Sequence, residues 1–440
     1  MRRARSLLLF STVTLALGCE GPAGPAGPTG TVGERGAVGP VGEAGPPGPQ
    51  GPRGPGGGGA DGGVPGATSC LAPCHGFKGI VEQWKTSTHY AVYVANLGGE
   101  EVGSWTNRSA SCGNCHAVDG LEQRATGKIG ATSGSVAGVK AGQLNYQNTT
   151  TKKTVEGTYA GNAKVASVFC TTCHQVTAAT DPHGKTAPYL PGSFGFWAAV
   201  GAADEALLEK SPSTATVTGT PAGKYGKGNV CIWCHKSRKD VTQYVTATGN
   251  LLTSHYWGPH EGPQADVFTG KGGYHFAGKL YDSSTHGGFS DGCLTCHMPK
   301  ILANGNIGDH SFYAQLGPCG RCHQGATSFD VNGGQTMVKA ALGELQKLLN
   351  AAGYLTRGAA GDPTLTAAEL ADGQFAKDVT RVQSPATSLD GAAAGALYNY
   401  LIVARGGALG VHNPKYVKQL LFDSISQLKG AAPTAIPVRP

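Results

Sequence analysis

Apolar side chains recur at helical spacing in only one part of this chain, and that part lies after Gln335. Val338 to Leu349 repeats apolar residues at the three-and-four spacing that lines one helix face. Ala392 to Val403 does the same. Pro414 to Leu428 is a third candidate helix, with proline in its first turn, where a missing N–H costs no helical hydrogen bond. Residues 335–430 are therefore expected to form a helical layer packed on the preceding region, with an irregular tail over 431–440. From 69 to 330 the pattern differs: Gly, Ser, Thr and Asn are scattered throughout and few long periodic stretches remain. This predicts mostly irregular loops and short α-helices, with one hairpin between Thr151 and Val168.

The remaining apolar run is Ser6 to Leu17, twelve residues, too short to span a bilayer as a mature helix. Arg2, Arg3 and Arg5 precede it and Leu15-Ala16-Leu17-Gly18-Cys19 ends it, the order of parts in an export signal over residues 1–18. A small residue immediately before Cys19 resembles the lipobox of bacterial lipoproteins, which implies a lipid anchor on Cys19 at an attachment site over 19–20. Glu20, rather than Asp, follows, which by the same resemblance implies sorting to the outer membrane. The alternative is an ordinary cleaved signal with an incidental Cys. Everything after Cys19 is expected to be soluble.

Composition changes the picture at the next segment. Glycine supplies 70 residues, and from Gly21 to Gly56 it falls at every third position through twelve unbroken triplets. Only Gly fits at the axis of a collagen triple helix, so residues 21–59 read as a collagen-like stalk or spacer. A homotrimeric stalk and a Pro/Gly-rich spacer on a monomer both satisfy this pattern.

The chemistry lies in residues 60–334. Five Cys-x-x-Cys-His motifs are present: Cys112/Cys115/His116, Cys170/Cys173/His174, Cys231/Cys234/His235, Cys293/Cys296/His297 and Cys319/Cys322/His323. This spacing is the attachment signature of c-type haem: two thiols add to the porphyrin vinyl groups and the adjacent His reaches the iron. Cys70 and Cys74, followed by His75, have three residues between the thiols instead of two. They read as a sixth attachment site, the alternative being a local disulfide. Twelve of the 13 cysteines are thus accounted for, and Cys19 is the one left over.

Six proximal ligands leave eight histidines: His89, His183, His255, His260, His275, His286, His310 and His412. Methionine can hardly supply second axial ligands. Met1 leaves with the signal, Met298 sits beside a proximal His, and only Met337 remains. Six bis-histidine, low-spin irons are expected, at the low-potential side of the c-type range. His89, His183, His260, His286, His310 and His412 are the expected distal ligands, with His255 and His275 as spares; His89, His183, His286 and His310 each lie close in sequence to a haem and are expected to serve a neighbouring one. The fold expected is a closely packed haem chain wrapped in loops and short helices, because six haems over the 254 residues from Cys70 to His323 leave none a domain of its own.

The formal charge of +7 does not point to nucleic acid. Each ferric haem adds about one negative charge through its propionates, and no basic run is interleaved with aromatics. Lys236-Ser237-Arg238-Lys239 is expected to pair with propionates, and the sequons at Asn107 and Asn148 are read as chance.

At these residues the chain resembles the secreted and outer-surface multihaem cytochromes of metal-reducing bacteria. The stretches Trp257–Asp266, Gly272–Phe276, Cys293–Pro299, Gly308–Phe312 and Gly410–Pro414 carry the resemblance, which covers Val81 to the C-terminus and excludes the collagen-like tract. The His-Asn-Pro at His412 is also similar to pentahaem nitrite reductases and their relatives, where such a His is a distal ligand. Their Cys-x-x-Cys-Lys motif is missing here. The resemblance implies an electron conduit at the cell surface or outer membrane, with partner cytochromes and an extracellular acceptor. It also allows assembly into a homopolymeric haem wire. Two other classes stay open: a reductase with one open haem, where Lys85, Arg238 or Lys239 would position an anion such as nitrite, and a structural surface fibre.

Overall fold

The computed structural model describes residues 79–91, 115–125, 145–147, 154–156, 168–176, 195–196, 225–237, 240–247, 250–252, 254–301, 307–357, 365–383 and 388–440. Cys19, the 21–59 tract, Cys70, Cys74, His75, Cys112, His183, Arg238 and Lys239 lie outside them, as do both sequons. All described residues belong to one unit, Val64–Pro440.

Three long helices close the chain: α1 (Gly334–Ala351), α2 (Gly391–Gly406) and α3 (Pro414–Lys429). Each starts and stops for a local reason. The Asp330 carboxylate accepts the free N–H groups of Gln335 at 2.7 Å and Thr336 at 3.1 Å, capping α1 from outside its first turn. Asp390 caps α2 by accepting the Ala393 N–H at 2.7 Å. Pro414 opens α3. Gly407 and Gly430 end α2 and α3 in the left-handed conformation that glycine adopts without steric cost.

The three helices pack on one another through Leu342, Leu345, Leu349, Leu397, Leu401, Ile402, Val417, Leu420, Leu421 and Ile425, all fully buried. Close approach is built in at Gly343, where a β-carbon would stand 1.7 Å from the Gln374 carbonyl oxygen. Most buried polar groups described in the layer are paired, Ser426 Oγ being an exception. The Gln346 amide donates to the Ala376 carbonyl at 2.8 Å and accepts the Ala376 N–H at 3.0 Å, and the Tyr400 hydroxyl donates to the Val379 carbonyl at 2.7 Å. The tail over 431–440 is irregular but tied down: Arg439 bonds the Asp423 carboxylate, and Gln419 donates to the Pro440 carbonyl at 2.8 Å.

Before α1 the described elements are short. The strands pair only in two-stranded antiparallel ladders. One hairpin joins Asn145–Gln147 to Thr154–Glu156, so it begins before the expected span of Thr151 to Val168. A second small core gathers Leu121, Tyr225, Val230, Ile232, Trp233, Ala265 and Phe268. Among the described residues between Phe276 and Val338 no hydrophobic side chain is buried. No helix among the described residues is long and apolar enough to cross a membrane.

Candidate functional site: four histidine pairs

Four of the attachment motifs are described in full, and each is a single helical turn. His174, His235, His297 and His323 each donate their backbone N–H to the carbonyl of the motif's first cysteine, at 2.9 Å for His235, 3.0 Å for His297 and 2.7 Å for His323. One turn places residues i, i+3 and i+4 on a common face, so both thiols and the imidazole of each motif are presented together. None of the nine described motif cysteines is in a disulfide.

Each of these four histidines faces a second histidine from elsewhere in the chain. His235 stands 6.0 Å from His89 between ring centroids, His174 is 6.4 Å from His310, His323 is 6.1 Å from His286, and His297 is 6.1 Å from His412. Two imidazoles binding one metal from opposite sides have a characteristic spacing. About 2 Å from metal to nitrogen and about 1 Å from nitrogen to ring centre, taken twice, gives about 6 Å. Direct stacking of rings would bring them closer. A pair at this spacing fills two opposite positions on a metal and leaves four in the plane between, the coordination a porphyrin supplies. Among the described residues no three His, Cys, Asp or Glu side chains gather as a metal cluster.

In four of the eight rings the other nitrogen is anchored, whereas His89 Nδ1 is buried without a hydrogen-bond partner. The Nδ1 groups of His297, His310 and His286 bond the carbonyls of Phe312 at 2.8 Å, Gly308 at 2.8 Å and Val411 at 2.5 Å, and His235 Nδ1 bonds Gln264 Oε1 at 3.2 Å. An Nδ1–H given to a carbonyl leaves Nε2 with its lone pair and fixes the ring plane, the usual support of a metal-binding imidazole. Burial disfavours the protonated form at four of the eight rings. His89 is pushed down to about 4 by burial and then by His235. His412 also falls to about 4, first from burial and then from His297, His286 and His235. Burial likewise lowers His235 and His310. His235 nonetheless keeps an accessible surface.

The pairs adjoin one another. The Cys231 thiol is held above its ordinary range by a hydrogen bond to Cys293, by burial, and by the nearby Cys173 and Cys234. Burial pushes Cys173 up to about 12. Cys296 is raised by burial and by Cys319. These proximities make consecutive motifs neighbours in the order 170/173, 231/234, 293/296, 319/322, a row in that sense.

Enclosure is not uniform along the row. Cys173, Cys231, Cys234, Cys293, Cys296 and Cys319 are partly buried, whereas Cys170 and Cys322 are exposed. Both belong to the motifs at the ends of the described row, where a neighbouring motif can cover a thiol from one side only. Cys322 also lies in the stretch that buries no hydrophobic side chain, at the end of the 3-10 turn Cys319–Arg321, so no apolar wall stands over it. Cys170 follows the exposed Phe169.

The helical layer positions this row. Asn413, buried at the head of α3, donates to the Phe268 carbonyl at 3.2 Å and the Ser283 hydroxyl at 3.1 Å, and accepts the Ser284 N–H at 2.8 Å. That short segment thereby aims His412 at His297 while its Val411 carbonyl holds His286. Gln264 reaches from the Gly406 carbonyl, 3.2 Å away, to His235. Arg405 donates to the carbonyls of Trp257 and Pro259, fixing the turn that carries His260.

The sequence left open which motif each distal histidine would meet, and the structure sets the pairs across the chain. His310 follows the 293/296 motif yet faces His174, and His89 faces His235. Only His286 reaches a motif close by. The support groups were also missed. Three are backbone carbonyls, which carry no residue identity, and Gln264 carried no signal beyond its place after Pro263. His116 follows Cys115 in a helical turn, and His260, itself exposed, donates Nδ1–H to the Glu261 carbonyl at 2.9 Å. His255 Nδ1 bonds the Val382 carbonyl at 2.8 Å. His275 stacks on Tyr281 at 4.2 Å and its Nε2 bonds the Tyr416 hydroxyl at 2.9 Å, which occupies the nitrogen a metal would use. Lys236 is buried, with its ammonium 5.2 Å over the Trp233 ring.

Comparison with family models, with curated proteins and with solved structures found no match to this chain.

Proposed function

We propose that this chain is a c-type cytochrome that carries electrons through six covalently attached, bis-histidine haems. The observation that carries the reading is the facing of four motif histidines by four others at 6.0–6.4 Å. Haem supplies a one-electron iron couple; the chain supplies attachment, ligation and spacing. In this reading the thiol pairs bind the porphyrin edges, His174, His235, His297 and His323 are proximal ligands, and His310, His89, His412 and His286 are their distal partners. His75 and His116 serve the remaining two haems, with His183 and His260 as distal candidates. The row of adjoining thiols makes the electron path run in motif order from 170/173 to 319/322. The exposed Cys170 and Cys322 would put a porphyrin edge at the surface at each end of that row, where an electron can enter or leave. The Cys231–Cys293 contact brings two porphyrin edges together, which favours fast transfer. Carbonyls on Nδ1 strengthen the imidazoles as donors and hold the potentials low.

Export through the 1–18 signal and a lipid on Cys19 would place the chain at the outer membrane or cell surface, the 21–59 tract holding it away from the bilayer. Its partners would then be other cytochromes on one side and an extracellular acceptor on the other. A pyridine haemochrome assay combined with intact mass tests the reading. Six haems per chain are expected, and five would remove Cys70 and Cys74 from the set. The reduced protein should bind carbon monoxide poorly and turn over nitrite negligibly. Strong carbon monoxide binding by the fully loaded protein would replace the conduit with a reductase.

A further inference from the structure

One residue touches three of the four histidine pairs. The Phe312 carbonyl accepts Nδ1–H of His297 at 2.8 Å. The Phe312 ring meets His89 edge-on at 4.8 Å and 70°, and lies 6.0 Å from His310 at 66°. These histidines belong to different pairs: His297 with His412, His89 with His235, and His310 with His174. Phe312 does this with φ at +60°, in the left-handed region that disfavours any side chain with a β-carbon. Glycine would adopt that backbone without strain, but its freer backbone would hold the carbonyl less firmly and it would leave no ring between His89 and His310. The surrounding loop over-determines the conformation. Asp309 accepts the Ser311 N–H at 2.8 Å and a Gln315 amide hydrogen at 3.2 Å, and Gln83 accepts the His310 N–H at 2.9 Å. A strained residue held by its neighbours at a meeting point of ligands is the pattern expected of a functional constraint.

We infer that Phe312 is a shared positioning residue: its carbonyl orients and strengthens the His297 imidazole, while its ring fixes the planes of His89 and His310. The inference rests on the haem reading above. It makes three neighbouring irons answer to one residue, two through its ring and one through its carbonyl, so a single substitution should alter several signals together. The planes of axial imidazoles govern the low-spin electron paramagnetic resonance (EPR) signal of each iron, so the ring's role has a readout independent of electron-transfer activity.

The test uses the full, haem-loaded chain with Phe312→Gly, Phe312→Leu and Phe312→Tyr. Phe312→Gly should keep the wild-type haem content, shift or broaden the low-spin lines of two irons, and move a third upward in a redox titration as its carbonyl loosens. Phe312→Tyr, which keeps the ring edge, should restore the wild-type spectrum. If the glycine variant loads haem poorly, Phe312→Leu should show the two altered lines at full haem content. Wild-type spectra and titration curves in both the glycine and leucine variants would reduce Phe312 to a space-filler. Equal disturbance by tyrosine and glycine would overturn the role of the ring. Absence of haem from the wild-type protein would instead overturn the underlying reading, leaving the two failures distinct.

Discussion

The helical layer and the loop region before it are ordered by different means. Residues 334–440 bury leucine, isoleucine, valine and tyrosine side chains in one continuous core, with polar groups such as Gln346 and Asn399 paired inside it. Between Phe276 and Val338 the described residues bury no hydrophobic side chain, yet this stretch holds two attachment motifs, His286 and His310. A segment without an apolar core cannot offset the entropy of ordering its backbone, about 1–2 kcal/mol per residue. In our account the missing contribution comes from covalently bound haem. On that proposal the helices form a frame with its own core, and the loops would be ordered by what they bind.

The strongest way to break this contrast is to make the protein without haem, by expressing the mature chain where attachment does not occur. Hydrogen exchange should then find amides of 277–330 unprotected while those of α1, α2 and α3 stay protected. Equal protection of both regions would mean that the loops need no cofactor. Next in size, Leu401→Ala should cost about 2–5 kcal/mol in denaturant unfolding, since Leu401 is fully buried between the helices. Ligation by the four described histidine pairs should be unchanged below the transition, since Leu401 packs at Gly258 in the turn of His260 and supplies none of the pairs' hydrogen bonds.

Asn413→Ala acts where the two regions meet and should cost about 1–3 kcal/mol, the penalty for leaving the Ser284 N–H and the Phe268 carbonyl without their partner. Unlike Leu401→Ala, it should also change the EPR signals of two irons, those of His412 and His286. The smallest effect is a pH dependence at His275. Burial, and then Lys271, pushes its pKa down to about 4, with Asp423 opposing. The unfolded chain therefore binds the extra proton first as acid is added. Stability should fall as pH drops from about 6.5 towards 4. His275→Gln should flatten that part of a thermal-unfolding profile, and an unchanged slope would place the acid sensitivity elsewhere.

The three helices were legible because apolar spacing reports directly on which face is buried. Pro414 and the glycines after α2 and α3 mark boundaries by backbone chemistry alone. The attachment motifs were legible for a different reason: five residues of fixed spacing form one helical turn whatever surrounds it. Their enclosure was not, since the motif at Cys322 reads the same as the motif at Cys234 although only the first has an exposed second thiol. Pairing was not legible either. His89 and His235 meet through the fold, and nothing in Ser-Thr-His-Tyr says which motif it will face. Nor could sequence reveal that the carbonyl of Phe312, rather than a side chain, supports His297. The hairpin was misplaced because its strands are three residues long, too short for alternation to locate.

The central claim is that a motif histidine and a distant histidine share one iron, and His412 tests it most directly. EPR of the oxidised, fully loaded wild-type protein should contain only low-spin signals. His412→Ala should convert a single haem to the high-spin form and open it to carbon monoxide, while His412→Met should keep that iron low-spin at a raised potential. A high-spin signal already present in the wild-type protein, or a His412→Ala spectrum identical to it, would contradict the account.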